Sequence, residues 1–335
     1  MILVTGGTGM IGAHLLLACA KDKLSTLALY RWESSIGKVA EFFKVMAPKN
    51  PEYFDSIQWH QSELTDLVQL EKIFPNVTEV YHCAAKVSFA QYHAEKLIKT
   101  NIEGTANLVN LALKYKIRKF GYLSSVAALG VESAVKLVNE EHLWNSNEIH
   151  TPYAYSKYGA ELEVWRGSQE GLEVVIVNPG IVLGSPFLNR SSGTLIKRIA
   201  KGMNFYPIGN AGIVDVDDVV DVLVGLMKSS IKNQRFILVA ENIKYKDLIQ
   251  RMAKALEVKS AKLALSKPLL YSLYILDKIA YALGLKKSFL NQATIKSLCS
   301  LQKYDGSKIE RSLDFNYKST TETIEEIAAE YNSNP

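Results

Sequence analysis

A tyrosine and a lysine four positions apart on a helix share one face, one turn from each other. A phenol beside an ammonium can pass a proton to a substrate. The spacing recurs along this chain: Tyr92 with Lys96, Tyr115 with Lys119, Tyr153 with Lys157, Tyr274 with Lys278 and Tyr304 with Lys308. Only the third pair is set up for chemistry. In "TPYAYSKYGAE", residues 151–161, Thr151 can cap a helix and Pro152 suits its first turn, so Tyr153 lies near a helix N-terminus. The dipole there and the Lys157 ammonium both favour phenolate. Together they are expected to pull the phenol below its ordinary pKa of about 10, as a proton donor near neutral pH requires. Upstream, "KFGYLSSVAALG" reads as a strand ending in Ser124 and Ser125, where a hydroxyl could hold a carbonyl against the phenol. Tyr92 and Tyr115 lack such a strand end, Tyr274 lies in an apolar helix, and Gly306 weakens a helix after Tyr304. These four read as surface or packing residues. Tyr155 shares the helix of Tyr153 but faces away from Lys157, and it reads as packing.

A second stretch offers a different chemistry. "VTGGTGMIG" follows an apolar strand and opens a helix. Gly7, Gly9 and Gly12 satisfy GxGxxG, and Gly6, Gly9 and Gly12 satisfy GxxGxxG. Without β-carbons the backbone turns tightly and approaches a pyrophosphate, which the N–H groups of the helix end can bind. In a strand–turn–helix setting this pattern points to a dinucleotide. The second strand ends "LALYR". Tyr30 stands where an acid would bond the ribose 2′-hydroxyl, and Arg31 follows. A guanidinium suits a 2′-phosphate, so NADP is favoured over NAD; the plainer reading of Arg31 is a solvated loop residue paired with Glu33.

Elements that could position these residues alternate through the first half. "MILVT", "TLALY", "SIQWH", "TEVYHCA", "KFGYLSS" and "EVVIVN" read as strands, with helices over 11–21, 36–46, 65–74, 94–115 and 152–169 between them. Such alternation gives an α/β fold, a doubly wound parallel sheet covered by helices. After "NPG" at 178–180 the rhythm breaks, and the remainder reads as mainly helical. The expected division is a dinucleotide-binding Rossmann domain over 1–180 and a smaller substrate-binding lobe over 181–335. A segment near 211–240 is expected to pack back on the first domain.

Bulk properties exclude other classes. Lysine and arginine number 39 against 34 acids, the excess is spread out, and no basic block occurs, which argues against a nucleic-acid partner. Cys19, Cys83 and Cys299 form no CxxC pair, so neither a disulfide framework nor a zinc site is suggested. His82 beside Cys83 reads as strand-end packing. Asp217 and Asp218 read as a helix N-cap before "VVDVLVGLM" and not as metal ligands; no metal is expected. "MILVT" lacks a basic leader region, and a reducing cytoplasm is the expected location. "KPLLYSLYILDKIAYALGL", 267–285, is interrupted by Asp277 and Lys278 and is short for a membrane span. It reads as a buried or partner-facing helix, with a membrane surface as the weaker reading.

The motifs "TGGTGMIG", "YHCAA", "NIEGTANLV", "YLSSVAALG", "PYAYSK" and "VVIVNPGIVLG", with "GIVDVDDVV" and "YDGSKIERSLDF" further on, occur in the order found in extended short-chain dehydrogenases/reductases. The chain resembles that superfamily nearly end to end, most nearly its dihydroflavonol-reductase-like and 3β-hydroxysteroid-dehydrogenase-like branch. The resemblance implies that Tyr153 is the acid/base, that Lys157 binds the nicotinamide ribose and that Ser125 orients the carbonyl. Asn101 matches the family's helix asparagine. Thr5, Gly6, Gly7, Gly9, Met10, Ile11 and Gly12 would surround the dinucleotide phosphates, with Arg31 at the adenosine ribose. Glu63, where the family usually has aspartate, and Leu64 would lie near adenine, and Ala84, Ala85 and Pro179 would line the cofactor. The implied activity is an NAD(P)-dependent oxidoreductase acting on a fairly apolar carbonyl or secondary alcohol, with a homodimer through the Tyr153 helix. A nucleotide-sugar epimerase is the rival. In that branch an arginine holds a diphosphate at the place of Ala211, while Asn178 does resemble the epimerase pattern. A 4,6-dehydratase needs an acidic pair where Val126 and Ala127 follow Ser125. A non-catalytic NAD(P)-sensing protein is the alternative from another class. For the apolar substrate, Phe187, Phe205, Tyr206 and the 268–284 helix offer lining material, with Arg198 and Arg251 as stand-in cations for a diphosphate.

Overall fold

The computed structural model describes residues 1–88, 90–130, 132, 134–184, 193–285 and 290–333. Its main sheet has seven parallel strands: Ile2–Thr5, Thr26–Tyr30, Ile57–Gln61, Glu79–His82, Lys119–Leu123, Val174–Pro179 and Gln234–Leu238. Across the sheet the third, second and first strands precede the fourth to seventh in order. The winding therefore reverses between the first and fourth strands, where Thr5 lies opposite His82. In such sheets a crevice opens at this point, beyond the carboxyl ends of the strands.

The strands are parallel because they are apolar on both sides and take helices on both. Ile2, Val4, Val175 and Val177 face one cluster with Leu15 and Leu16 of Met10–Lys21 and with Val219 and Leu223 of Val216–Lys228. Leu3, Val174 and Ile176 face the other, with Leu108 of Gly104–Lys114 and Val164 of Pro152–Gln169. The doubly wound α/β architecture is the one the sequence implies. The seventh strand comes from beyond residue 180 and pairs with Val174–Pro179.

Beyond residue 180 helices dominate, but short strands Ile181–Leu183, Asn210–Asp215 and Glu241–Lys244 form a further sheet. A third apolar cluster sits on it, including Ile213, Ile243, Leu248 and Ile324. Two of these strands have only three and four residues, too few to show a period in the sequence. Two local readings also change. The helix expected over 94–115 is three pieces, Ala94–Leu97, a π-helical Ile98–Glu103 and Gly104–Lys114. The cap before "VVDVLVGLM" is Asp215, whose carboxylate accepts from the Asp217 amide at 2.7 Å; Asp217 and Asp218 occupy the first turn. Asp217 meets His14 at 2.8 Å, and Asp218 accepts from the Lys318 amide.

The apolar helix Lys267–Ala282 departs from expectation on burial: only Leu270 and Asp277 are buried in it. Among the described residues no helix is long and apolar enough to cross a membrane.

Candidate active site

The glycine turn is closed by its own backbone. The Gly9 amide donates to the Gly6 carbonyl at 2.9 Å, and Gly6 has φ +74°. A β-carbon on Gly12 would lie 2.1 Å from the Gly6 carbonyl oxygen, and one on Gly6 would lie 2.7 Å from the Ala84 amide nitrogen. Both positions therefore require glycine. The helix Met10–Lys21 starts at Gly9 with no side-chain cap, so its first-turn N–H groups, on Met10, Ile11 and Gly12, keep the geometry of an anion site. This tight cradle at the switch point fits a dinucleotide pyrophosphate.

Thr5 and His82 brace the cradle from below. The Thr105 hydroxyl donates to the Asn101 carbonyl and meets His82 Nε2 at 2.9 Å; His82 Nδ1 meets the Thr5 hydroxyl at 2.7 Å, and the Ala84 amide donates to that hydroxyl at 3.2 Å. The Thr105 proton goes to the Asn101 carbonyl, so Thr105 must accept from His82 Nε2, which carries a proton. Full burial, helped by the Lys157 charge, pushes the imidazole down to about 3 and leaves it neutral. His82 is thus a structural strut, as strand-end packing implies.

The tyrosine helix begins as its sequence dictates. Thr151 is the N-cap and accepts from the Ala154 amide at 3.1 Å, with Pro152 in the first turn. Its phenol is hydrogen-bonded to the Ser125 side chain. Ser125 begins a 3₁₀ turn, Val126–Leu129, and accepts from the Ala127 amide at 3.2 Å. Ser124 points the other way and donates to Glu161 Oε2 at 2.6 Å. The fold therefore brings Ser125, and not Ser124, to Tyr153.

Electrostatics at the phenol differ from the sequence expectation. Burial lifts the Tyr153 pKa above its ordinary value, and only the Ser125 hydrogen bond opposes it. The Lys157 ammonium is engaged elsewhere: it donates to the Leu123 carbonyl at 2.7 Å and lies over the Tyr122 ring, 4.5 Å from its centroid. Burial pushes this lysine down to about 7, with the Glu161 carboxylate holding it up. Lys157 is thus poised to gain or lose a proton near neutrality.

Glu161 organises the back of the site. It is 2% exposed and receives Asn178 Nδ2 at 2.8 Å as well as the Ser124 hydroxyl, with Arg235 Nη1 at 3.3 Å. Asn178 Nδ2 also donates to the Ser125 carbonyl at 3.1 Å, fixing the backbone that carries the hydroxyl. Asn101 is 2% exposed within the π turn. It binds the Lys86 amide and carbonyl and donates to the Ser156 hydroxyl at 2.9 Å, which in turn donates to the Tyr153 carbonyl. Asn101 thereby ties the tyrosine helix to the loop after the fourth strand. Glu161, Arg235, Ser156, Thr105 and Tyr122 were not singled out in the sequence.

The other residues assigned by resemblance spread along the same edge. Ala84 is half-buried against the glycine turn, and Ala85 is exposed. Arg31 is exposed just past the second strand and lies close enough to Lys86 to help lower its pKa, after burial and Lys96. Glu63 is exposed, whereas Leu64 is buried in the core, where a β-carbon on Gly104 would strike it. Gly7 and Pro179 are buried, the latter opposite Leu238.

The remaining tyrosines separate from the site. Tyr92 is exposed, Tyr115 reaches Glu71, Lys278 lies over the Tyr274 ring, and Tyr304 packs near Val138 and Val239. Tyr155 is 53% exposed, turned to solvent and not packed as expected. Phe187 lies outside the described residues.

Known proteins share this fold. The chain is 28% identical over 318 residues to a putative dihydroflavonol 4-reductase of Synechocystis sp., covering 92% of this chain and 88% of that one. The crystal structure of gox2253 superimposes with a TM-score of 0.83 at 25% identity, covering 99% of this chain and 98% of that one. The fold also matches a UDP-glucose 4-epimerase from Thermotoga maritima, with a TM-score of 0.77 at 19% identity and coverage of 99% and 98%. The model of the NAD dependent epimerase/dehydratase family matches residues 2–240, from the first strand past the seventh, and the chain belongs to that family as an NAD(P)-dependent enzyme of the extended short-chain dehydrogenase/reductase type.

Proposed function

We propose that the protein reduces a fairly apolar ketone or aldehyde, or oxidises the matching secondary alcohol, in a net redox reaction with NADP(H). The hydrogen-bonded pair Tyr153–Ser125 carries this reading. A nicotinamide cofactor supplies or accepts the hydride. In the reducing direction Ser125 donates a hydrogen bond to the carbonyl oxygen, and the Tyr153 hydroxyl gives it a proton. A phenol whose pKa is held up by burial is protonated at neutral pH and so begins as the acid. Lys157 would hold the cofactor ribose, and its pKa of about 7 makes its charge there pH-dependent. Asn101 and Glu161 position these groups without touching the reacting atoms.

Arg31 supports NADP over NAD. It is exposed where the adenosine ribose is expected, with Lys86 close by, and two cations suit a 2′-phosphate. Ala211 supports an apolar substrate over a nucleotide sugar. It is 5% exposed within the third apolar cluster and itself offers no charge to a diphosphate. Asn178, the residue that favours an epimerase in the sequence, spends its amide on Glu161 and the Ser125 carbonyl. Arg251 is paired with Glu241 at 2.9 Å. On the tyrosine helix, exposed Tyr155 and Leu162 lie two turns apart on one face and suit a homodimer contact.

A screen of ketones, aldehydes and sugar nucleotides, following NADPH absorbance and product isomers, tests the reading. Net NADPH consumption with apolar carbonyls supports it. Saturable UDP binding, with sugar isomerisation and no net cofactor turnover, would assign the protein to the epimerases instead.

A further inference from the structure

The helix Lys267–Ala282 is inverted relative to an ordinary surface helix. Its inward side holds one apolar residue, Leu270, and the carboxylate of Asp277, 4% exposed, which accepts from the Leu290 amide at 3.2 Å. Its outward side is apolar: Leu269, Tyr271, Ile275, Leu276, Ile279 and, just past its end, Leu283 are all exposed, Leu276 at 61% and Leu283 at 68%. At 100° per residue these side chains span roughly 160° of the circumference, far wider than a two-helix packing seam, and Leu273 and Tyr281 are exposed outside that arc as well. The one polar residue among them, Ser272, turns its hydroxyl back to the Pro268 carbonyl.

The charge around this helix selects its partner. Residues 258–303 contain eight lysines, no arginine and one acid, the buried Asp277. The net charge of this stretch exceeds the +5 of the whole chain. Just ahead of the helix, Lys246, Lys259 and Lys262 line an open cleft of about 420 Å³ with Tyr206, Gln250 and Ser260. The Ser260 hydroxyl is buried there with no partner among the described residues. Lys262 leads through the strand Leu263–Leu265, with Leu263 itself exposed, straight into the helix at Lys267. An exposed apolar helix within a lysine-rich stretch, preceded by a lysine-lined cleft, has the chemistry of a helix lying in a lipid interface, with its apolar side among acyl chains and nearby cations at anionic headgroups. A second copy of the chain would bring the same excess of lysine against itself.

We infer that this face docks the protein on an anionic phospholipid surface, with the helix Lys267–Ala282 lying flat in the interface and the Lys246–Lys259–Lys262 cleft at the lipid phosphates. The membrane-surface reading, the weaker one in the sequence, is taken up on the exposure of the helix. It is independent of the reaction at Tyr153.

Sedimentation of the full chain with vesicles tests it. Phosphatidylcholine vesicles carrying about a third phosphatidylglycerol should take up the protein at least about tenfold better than phosphatidylcholine alone. Uptake should fall as salt shortens the screening length. Ile275→Glu/Ile279→Glu and, separately, Lys259→Glu/Lys262→Glu should each lose about tenfold in partition while melting at the wild-type temperature. The two pairs act through different chemistry, so failure of one to fold leaves the other as the test. No uptake by anionic vesicles, or undiminished uptake of a folded double variant, would overturn the inference. So would a dimer that Ile275→Glu/Ile279→Glu dissociates without any vesicle binding, since a second copy would then cover the face.

Discussion

Replacing Lys157 by methionine keeps the bulk of the side chain and removes a buried ammonium. Burial brings this lysine from 10.5 to about 7. Each pKa unit corresponds to about 1.4 kcal/mol, so charging the folded site costs on the order of 5 kcal/mol. Between the two values the unfolded chain keeps a proton that the folded chain has released. Wild-type stability should therefore rise with pH through this window, by at most about 1.4 kcal/mol per unit. Below about 7 both states hold the proton and the contribution is flat. Lys157→Met lacks the titration. It should exceed wild type in stability near pH 6 and lose about 3 kcal/mol of that advantage by about pH 9. Urea unfolding of both proteins at a series of fixed pH values gives the difference directly, and titrating groups remote from Lys157, such as Asp218 and Lys119, cancel in it. Two parallel stability curves over this range would refute the reasoning, because the lysine would then be charged at its ordinary pKa despite its burial.

Other perturbations address the neighbouring groups. Glu161→Gln removes the charge that holds Lys157 up, so the lysine limb of a pH–turnover profile should move below about 7; an unmoved limb would detach Glu161 from Lys157. Gly12→Ala places a β-carbon 2.1 Å from the Gly6 carbonyl oxygen. The forced shift should weaken NADPH binding by about tenfold to a hundredfold, and titration calorimetry showing wild-type affinity would count against the cradle. Arg31→Ala should loosen NADPH by about tenfold or more and leave NADH unchanged, through loss of a charge-assisted contact; equal NADPH and NADH affinities in wild type would remove the basis for the NADP preference.

Much of this architecture is legible in local sequence because its causes are local. Thr151 and Pro152 start the tyrosine helix, and the helix runs from Pro152 to Gln169. The glycines sit where a β-carbon would strike backbone, so their spacing alone locates the turn. The features that escape a sequence reading depend on distant partners. Glu161 meets Arg235 across 74 positions, and His82 meets Thr5 across 77. The π turn that seats Asn101 has no compositional mark, so 94–115 reads as one helix. The position of Lys157 at the Leu123 carbonyl, away from the phenol, depends on how the helix crosses the fifth strand. For 267–285 the obstacle is different. A helix apolar on nearly every side has no period to show which face is buried, and here the fold buries the side with the acid.

Tyr153→Phe tests the central claim most directly, measured beside Tyr155→Phe on a carbonyl substrate found in the screen. Removing only the phenolic hydroxyl should cut turnover by about a hundredfold to ten-thousandfold. NADPH affinity should stay close to wild type, since the phenol serves the substrate oxygen. Tyr155→Phe, on the same helix but turned to solvent, should retain full turnover. Near-normal turnover in Tyr153→Phe, or equal damage in Tyr155→Phe, would contradict the assignment of Tyr153 as the proton donor.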